Sequence, residues 1–82
     1  MDRSAEISEF IVNNFLFGDG SSLKNDTSFL ENGIIDSTGI LEVITFIEET
    51  FDIKVEDNEL LPENLDSIDN LVRFIQIKKN EQ

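Results

Sequence analysis

Histidine, cysteine, tryptophan and tyrosine are all missing from this chain of 82 residues. Without histidine there is no side chain that commonly acts as general base near neutral pH. Without cysteine there is no thiol nucleophile, no soft metal ligand and no disulfide, so the core alone must hold the fold. A serine hydroxyl attacks poorly until a base activates it. Here that base would be a carboxylate or lysine on a surface too small to shelter it. These absences argue against an autonomous enzyme, and no catalytic residue is assigned. Long apolar runs are absent too. No stretch suits a membrane span and no signal-peptide pattern opens the chain, which makes the cytoplasm the default compartment.

Basic residues are scarce: 6 Lys and Arg stand against 18 Asp and Glu, for a net charge of −12. The imbalance is local. Residues 26–69 hold thirteen acids and one base, Lys54, while the flanks carry five of each. That middle segment repels nucleic acid and anionic membranes, and attracts basic protein surfaces and cations.

No repeat or interdomain linker divides the chain, so residues 1–82 are expected to form a single all-α domain. Ile7, Phe10, Ile11 and Phe15 recur at helical spacing and predict a first helix over about residues 3–16. Gly18-Asp19-Gly20-Ser21-Ser22 ends it, and a long loop follows, which Phe29 and Leu30 are expected to anchor. Gly33 permits a turn before a second helix over 37–51. Ile40, Val43, Ile44, Ile47 and Phe51 form the inward stripe of that helix, widened by Leu41 and Phe46. Asp52-Ile53-Lys54-Val55 reads as an extended connection. A short helix over 57–61 is expected to stop near Pro62. Asp66 or Ser67 caps a last helix over 67–79, with Ile68, Leu71, Val72 and Ile75 inward and Lys78 and Lys79 at its C-terminal end. Residues 80–82 are expected to fray. The seven phenylalanines and the many Ile, Leu and Val residues fill one helical core.

Asp36-Ser37-Thr38 stands where the glycine-containing loop gives way to the second helix. Asp36 is a good N-cap, and Ser37 falls in the first turn with no bulky neighbour behind it. By itself an Asp-Ser pair is only a helix start. The longer pattern says more: Gly33-x-x-Asp36-Ser37, then an amphipathic helix ending Glu48-Glu49-x-Phe51, then an extended segment ending in Val55.

This pattern resembles the acyl carrier protein family, with its peptidyl and aminoacyl relatives. The likeness extends over nearly the whole chain: the Ile7/Phe10/Ile11 face, Ser28-Phe29-Leu30-Glu31 at the loop end, and Leu65-Asp66-Ser67-Ile68 at the last helix. It implies a four-helix bundle of three main helices and one short one. It implies that Ser37 is esterified by the 4′-phosphopantetheine group of coenzyme A, through a phosphopantetheinyl transferase. The arm's thiol then carries an acyl group as a thioester, which fits a chain with no thiol of its own. Asp36 would support the transfer, with Thr38 and Gly39 leaving room for the transferase. Asp36, Thr38, Glu42, Glu48 and Glu49 match positions that meet basic docking surfaces on loading ligases, synthases and acyltransferases. A monomer is expected, and the charge and the lack of long apolar runs argue against nucleic-acid binding and membrane insertion. Two departures matter. Thr38 replaces a leucine common in the family, and Gly39 replaces an often acidic residue, which points to a specialised lipid or secondary-metabolite pathway over housekeeping fatty-acid synthesis. The connection through Glu56–Pro62 is also longer than in common bacterial carriers.

Two other readings stay open: an aminoacyl or peptidyl carrier loaded by an adenylating enzyme, and an acidic interaction module with no prosthetic group. A calcium-sensing loop does not fit, because neither Asp19-Gly20 nor Asp52–Asp57 has ligands at the required alternate positions. Weak calcium or magnesium binding is expected at the carboxylates of Glu48, Glu49 and Asp52, and of Glu56, Asp57 and Glu59.

Overall fold

Helix α1 covers Arg3–Phe15 and buries Ile7 and Ile11 completely. The computed structural model of the chain describes residues 3–21 and 23–81; Met1, Asp2, Ser22 and Gln82 lie outside the described residues. The first helix ends when Phe17 turns left-handed, at φ 54°, and the Gly18 amide reaches back to the Val12 carbonyl at 2.9 Å. The turn throws the Phe17 ring wholly into solvent. The phenylalanines therefore do not all fill the core: only Phe29 and Phe74 of the seven are buried. Phe10, Phe15, Phe46 and Phe51 pack around its edge.

Helix α2 covers Gly39–Phe51, starting after the predicted Ser37. The turn that leads in is already capped as the sequence demands. The Asp36 Oδ1 accepts the Gly39 amide at 2.7 Å, and the Asp36 carbonyl accepts the Ile40 amide at 3.0 Å. Val43, Ile44 and Ile47 are buried, but Leu41 points to solvent, half exposed, so the inward stripe is narrower than its sequence suggests. Asp52 closes the helix in a left-handed conformation, at φ 56°.

The connection to the last helix differs most from expectation. A 3-10 turn covers Asp57–Glu59, and a short helix α3 covers Pro62–Leu65. Pro62 starts a helix here instead of stopping one. Its missing N–H would have had no partner in a first turn, and its fixed φ suits that position. Helix α4 covers Ile68–Glu81, beyond the predicted end at Lys79. Ser67 is its cap, its hydroxyl accepting the Asn70 amide at 3.1 Å. Ile68, Leu71, Phe74 and Ile75 enter the core, where α4 packs against α1 and α3; Val72 sits at the edge.

Asp66 does a different job from capping. Its backbone carbonyl accepts the Phe29 amide at 2.8 Å and its Oδ1 accepts the Leu30 amide at 2.9 Å. The Ser28 hydroxyl donates to its Oδ2. These bonds clamp the long loop to the start of α4 and drive Phe29 into the core. Leu30, by contrast, stays half exposed. At the far end, Lys78 Nζ pairs with Glu59 at 2.9 Å and Lys79 Nζ donates to the Phe51 carbonyl at 3.1 Å. The end of α4 is thereby tied to both the 3-10 turn and the end of α2.

Candidate functional site

Ser37 is exposed on the turn that opens α2. Its hydroxyl makes no hydrogen bond among the described residues. Beside it, the Asp36 carboxylate is held against the Gly39 amide. That bond fixes the turn, so Ser37 stands on a rigid corner at the positive end of the helix dipole.

Gly39 is what lets the corner sit so low. It is buried, and a Cβ there would come within 2.9 Å of the Phe15 ring and 3.0 Å of Ile35. The glycine that stands where the family often has an acid is thus a packing residue between α1 and the loop. Its missing side chain is needed inside the fold, against Phe15 and Ile35. Gly33, at φ 65°, makes the bend that brings Ile35 to this contact.

Ser37 also lines the mouth of a cavity of about 150 Å³. The loop supplies Phe29, Leu30 and Ile35 to its walls, and α2 supplies Ile40 and Ile44. Leu60, Leu61, Pro62 and Leu65 close the other side. The sequence marked the Glu56–Pro62 connection as unusually long without naming Leu60, Leu61, Pro62 or Leu65 as site residues. The signal was Leu60-Leu61, two adjacent leucines that belong to no helical stripe. Asp66 also lines the cavity, but both its carboxylate oxygens are engaged, by Ser28 and by the Leu30 amide.

The residues predicted to meet partners do not all behave alike. Thr38, Glu42 and Glu49 are exposed. Glu48 is half-buried, and its Oε2 accepts the Val55 amide at 2.9 Å. It pins the extended connection to α2. Glu42 and Glu49 instead rim an open groove floored by Phe10, Leu41 and Phe46. The Phe10 and Phe46 rings stack there at 4.1 Å.

The six carboxylates expected to hold a divalent cation are not brought together. Among the described residues no group of three or more acids converges on a point that could hold a metal. Glu48 faces Val55, and Glu59 faces Lys78 and the Glu56 amide. Those contacts, the amide first and then the ammonium, hold the Glu59 carboxyl below the usual carboxylate range. The Ser21 amide and hydroxyl do the same for the exposed Asp19.

An acyl carrier protein of Clostridium acetobutylicum is 33% identical over 63 residues, which cover 77% of this chain and 79% of that protein. The chain belongs to the acyl carrier protein family. No family model matches the sequence, but further relatives agree. An acyl carrier protein of Buchnera aphidicola is 39% identical over 68% of this chain and 66% of its own length, just under two thirds. A probable acyl carrier protein, PigG, of a Serratia species is 26% identical over 80% of this chain and 76% of that protein. Among solved structures, the holo acyl carrier protein NE2163 of Nitrosomonas europaea superposes with a TM-score of 0.78 at 24% identity, over 98% of this chain and 99% of its own. It shares the helical bundle. A chain in a structure described as an FAD-dependent dehydrogenase superposes at 0.75 with 29% identity, over 84% of this chain and 97% of that one. Acyl carrier proteins are carriers and not catalysts, and membership fits a 4′-phosphopantetheine prosthetic group. No helix among the described residues is long and apolar enough to cross a membrane.

Proposed function

We propose that the whole chain is one carrier domain, and that it carries acyl groups as thioesters on a 4′-phosphopantetheine arm at Ser37. The observation that carries this reading is the placement of one exposed, unengaged hydroxyl at the mouth of an apolar cavity, on a corner fixed by Asp36. The residues fit the group. An arm on Ser37 would set its phosphodiester at the positive end of α2, where a fixed anion is favoured. Once bound, the arm supplies the thiol that this chain lacks. In the transfer, the Ser37 Oγ attacks the phosphorus next to pantetheine, the phosphoanhydride bond breaks, and adenosine bisphosphate leaves. The hydroxyl proton goes to a base on the transferase.

The partners of this reading are a phosphopantetheinyl transferase and acyl-handling enzymes in the cytoplasm. The exposed Glu42 and Glu49 and the apolar floor between them support docking to a basic surface that presents an apolar side chain. Thr38, exposed where the family often has leucine, leaves that apolar contact to Leu41, one turn on. This shift favours a specialised pathway. The test is intact mass after incubation with coenzyme A and a broad-specificity transferase. Wild type should gain one arm and Ser37→Ala none. A modified Ser37→Ala, or an unmodified wild type, would sink the reading. The unmodified wild type is the outcome that an acidic interaction module would give.

A further inference from the structure

We infer that Phe17 is a docking anchor for the phosphopantetheinyl transferase, which seats the ring in an apolar pocket beside the basic surface that meets this chain's acids. The anchor rests on the carrier reading and adds to it a contact on the α1 side of Ser37.

Phe17 is costly where it stands. It is left-handed, at φ 54°, a conformation that crowds any Cβ and that asparagine or glycine takes more easily. A buried ring would offset that cost, but this one is fully exposed and belongs neither to the core nor to its edge. Gly18 follows at φ 85°, so the helix end already has the glycine that such a turn uses. The fold gains nothing from a phenylalanine here. Strain that the fold does not repay marks a residue with another use.

The position of the ring says which use. Phe15, two residues earlier, lies against Gly39, two residues after Ser37. The end of α1 therefore shares one end of the bundle with Ser37. The other exposed apolar side chains gather there too. Among the described residues, Leu30, Leu60 and Leu61 stand in solvent at the cavity mouth beside Ser37, and Leu41 on the first turn of α2. Ile77 alone lies at the opposite end, next to Gln76, which meets Arg3 at the start of α1 at 2.6 Å. Scattered apolar residues on a surface are ordinary; a set gathered round one hydroxyl marks an interaction site. A contact of ordinary size, about 800 Å² a side, covers Ser37 and Phe17 together.

The chemistry of attachment selects the occupant. The transferase must bring its active site to the Ser37 Oγ itself, whereas later enzymes meet the thiol at the far end of the arm. The surface around Ser37 is therefore above all the transferase's. Charge agrees. Asp19 is exposed two residues beyond Phe17, its carboxylate fixed by the Ser21 amide at 3.0 Å. A net charge of −12 repels an anionic membrane or a second copy and attracts a basic enzyme surface.

The experiment measures steady-state arm transfer to the full chain, with coenzyme A and a broad-specificity transferase, across a salt series, together with melting midpoints. Phe17→Asn should melt no lower than wild type. Its KM as acceptor should nonetheless rise about tenfold or more with kcat held, at high salt as at low, because an apolar contact is not screened. Phe17→Leu should keep most of the efficiency, and Ile77→Asn should match wild type. If wild type takes the arm and Phe17→Asn shows the same KM, the anchor falls while the carrier reading stands. If Phe17→Asn and Phe17→Gly both melt lower, the ring serves the fold and the anchor falls. If wild type elutes as a dimer that Phe17→Asn splits, a second copy is the occupant and the anchor falls as well. If wild type takes no arm, the carrier reading falls and the anchor with it.

Discussion

At the scale of single residues, Gly39 and Asp36 decide where the reactive hydroxyl stands. A methyl at position 39 would press on Phe15 and Ile35. Overpacking of this kind costs about 1–3 kcal/mol, while alanine gains up to about 1 kcal/mol over glycine from helix propensity. Gly39→Ala should therefore lower stability by about 1 kcal/mol net, read by urea unfolding. A stabilised variant would show that the Phe15 ring yields freely. Legibility also varied residue by residue. Asp36 and Ser37 were plain in the sequence because capping is a local act between neighbours three residues apart. The role of Gly39 was not, because it depends on Phe15, which reaches it only through the fold. Of the two caps the sequence offered, Asp66 or Ser67, the choice was not legible for the same reason. The Asp66 carboxylate turns to a loop that lies far away in sequence, and Ser67 takes the cap.

At the scale of elements, the three main helices were readable from apolar periodicity, and the stretch between α2 and α4 was not. A proline marks either the end or the start of a helix, and its neighbours Leu60 and Leu61 have no period to break the tie. The width of α2's apolar face was legible, but its use was not. The core buries Val43, Ile44 and Ile47 with Ile40 and Phe51 at its edge, while Leu41 and the outer side of Phe46 line an open groove. Because Glu48 holds Val55, reversing its charge would disturb the fold and docking together. A clean test uses the exposed pair. Glu42→Lys with Glu49→Lys should slow arm transfer by about tenfold at low salt, with the difference shrinking as salt rises. Equal rates across the salt series would reduce these two carboxylates to solubilising groups.

At the scale of the whole molecule, the sequence segregates charge and the fold partly re-pairs it. Lys78 belongs to a flank that balances on its own, yet it comes to rest on Glu59 within the acidic segment. Glu59 supplies a pH dependence whose sign is fixed. Its carboxyl titrates lower in the folded chain than in an unfolded one. Its contribution is therefore complete above the ordinary glutamate value and is lost as the pH falls through the lowered, folded value. Melting midpoints taken at about pH 7 and about pH 3 should differ less in Glu59→Gln than in wild type. An unchanged difference would mean that other carboxylates govern the acid limb.

The end of α1 also has a practical consequence. Phe17 stands clear of the surface in a left-handed turn, while the other aromatic side chains are packed at least in part. A protease that cuts after aromatic residues should meet this peptide bond first. One cut there yields a peptide containing α1 and a remainder containing everything else. Ile7 and Ile11 are completely enclosed by that remainder, so the two pieces should stay associated after the bond is gone. The molecule would then be a natural candidate for reassembly from fragments, with Ser37 and its whole turn on the larger piece.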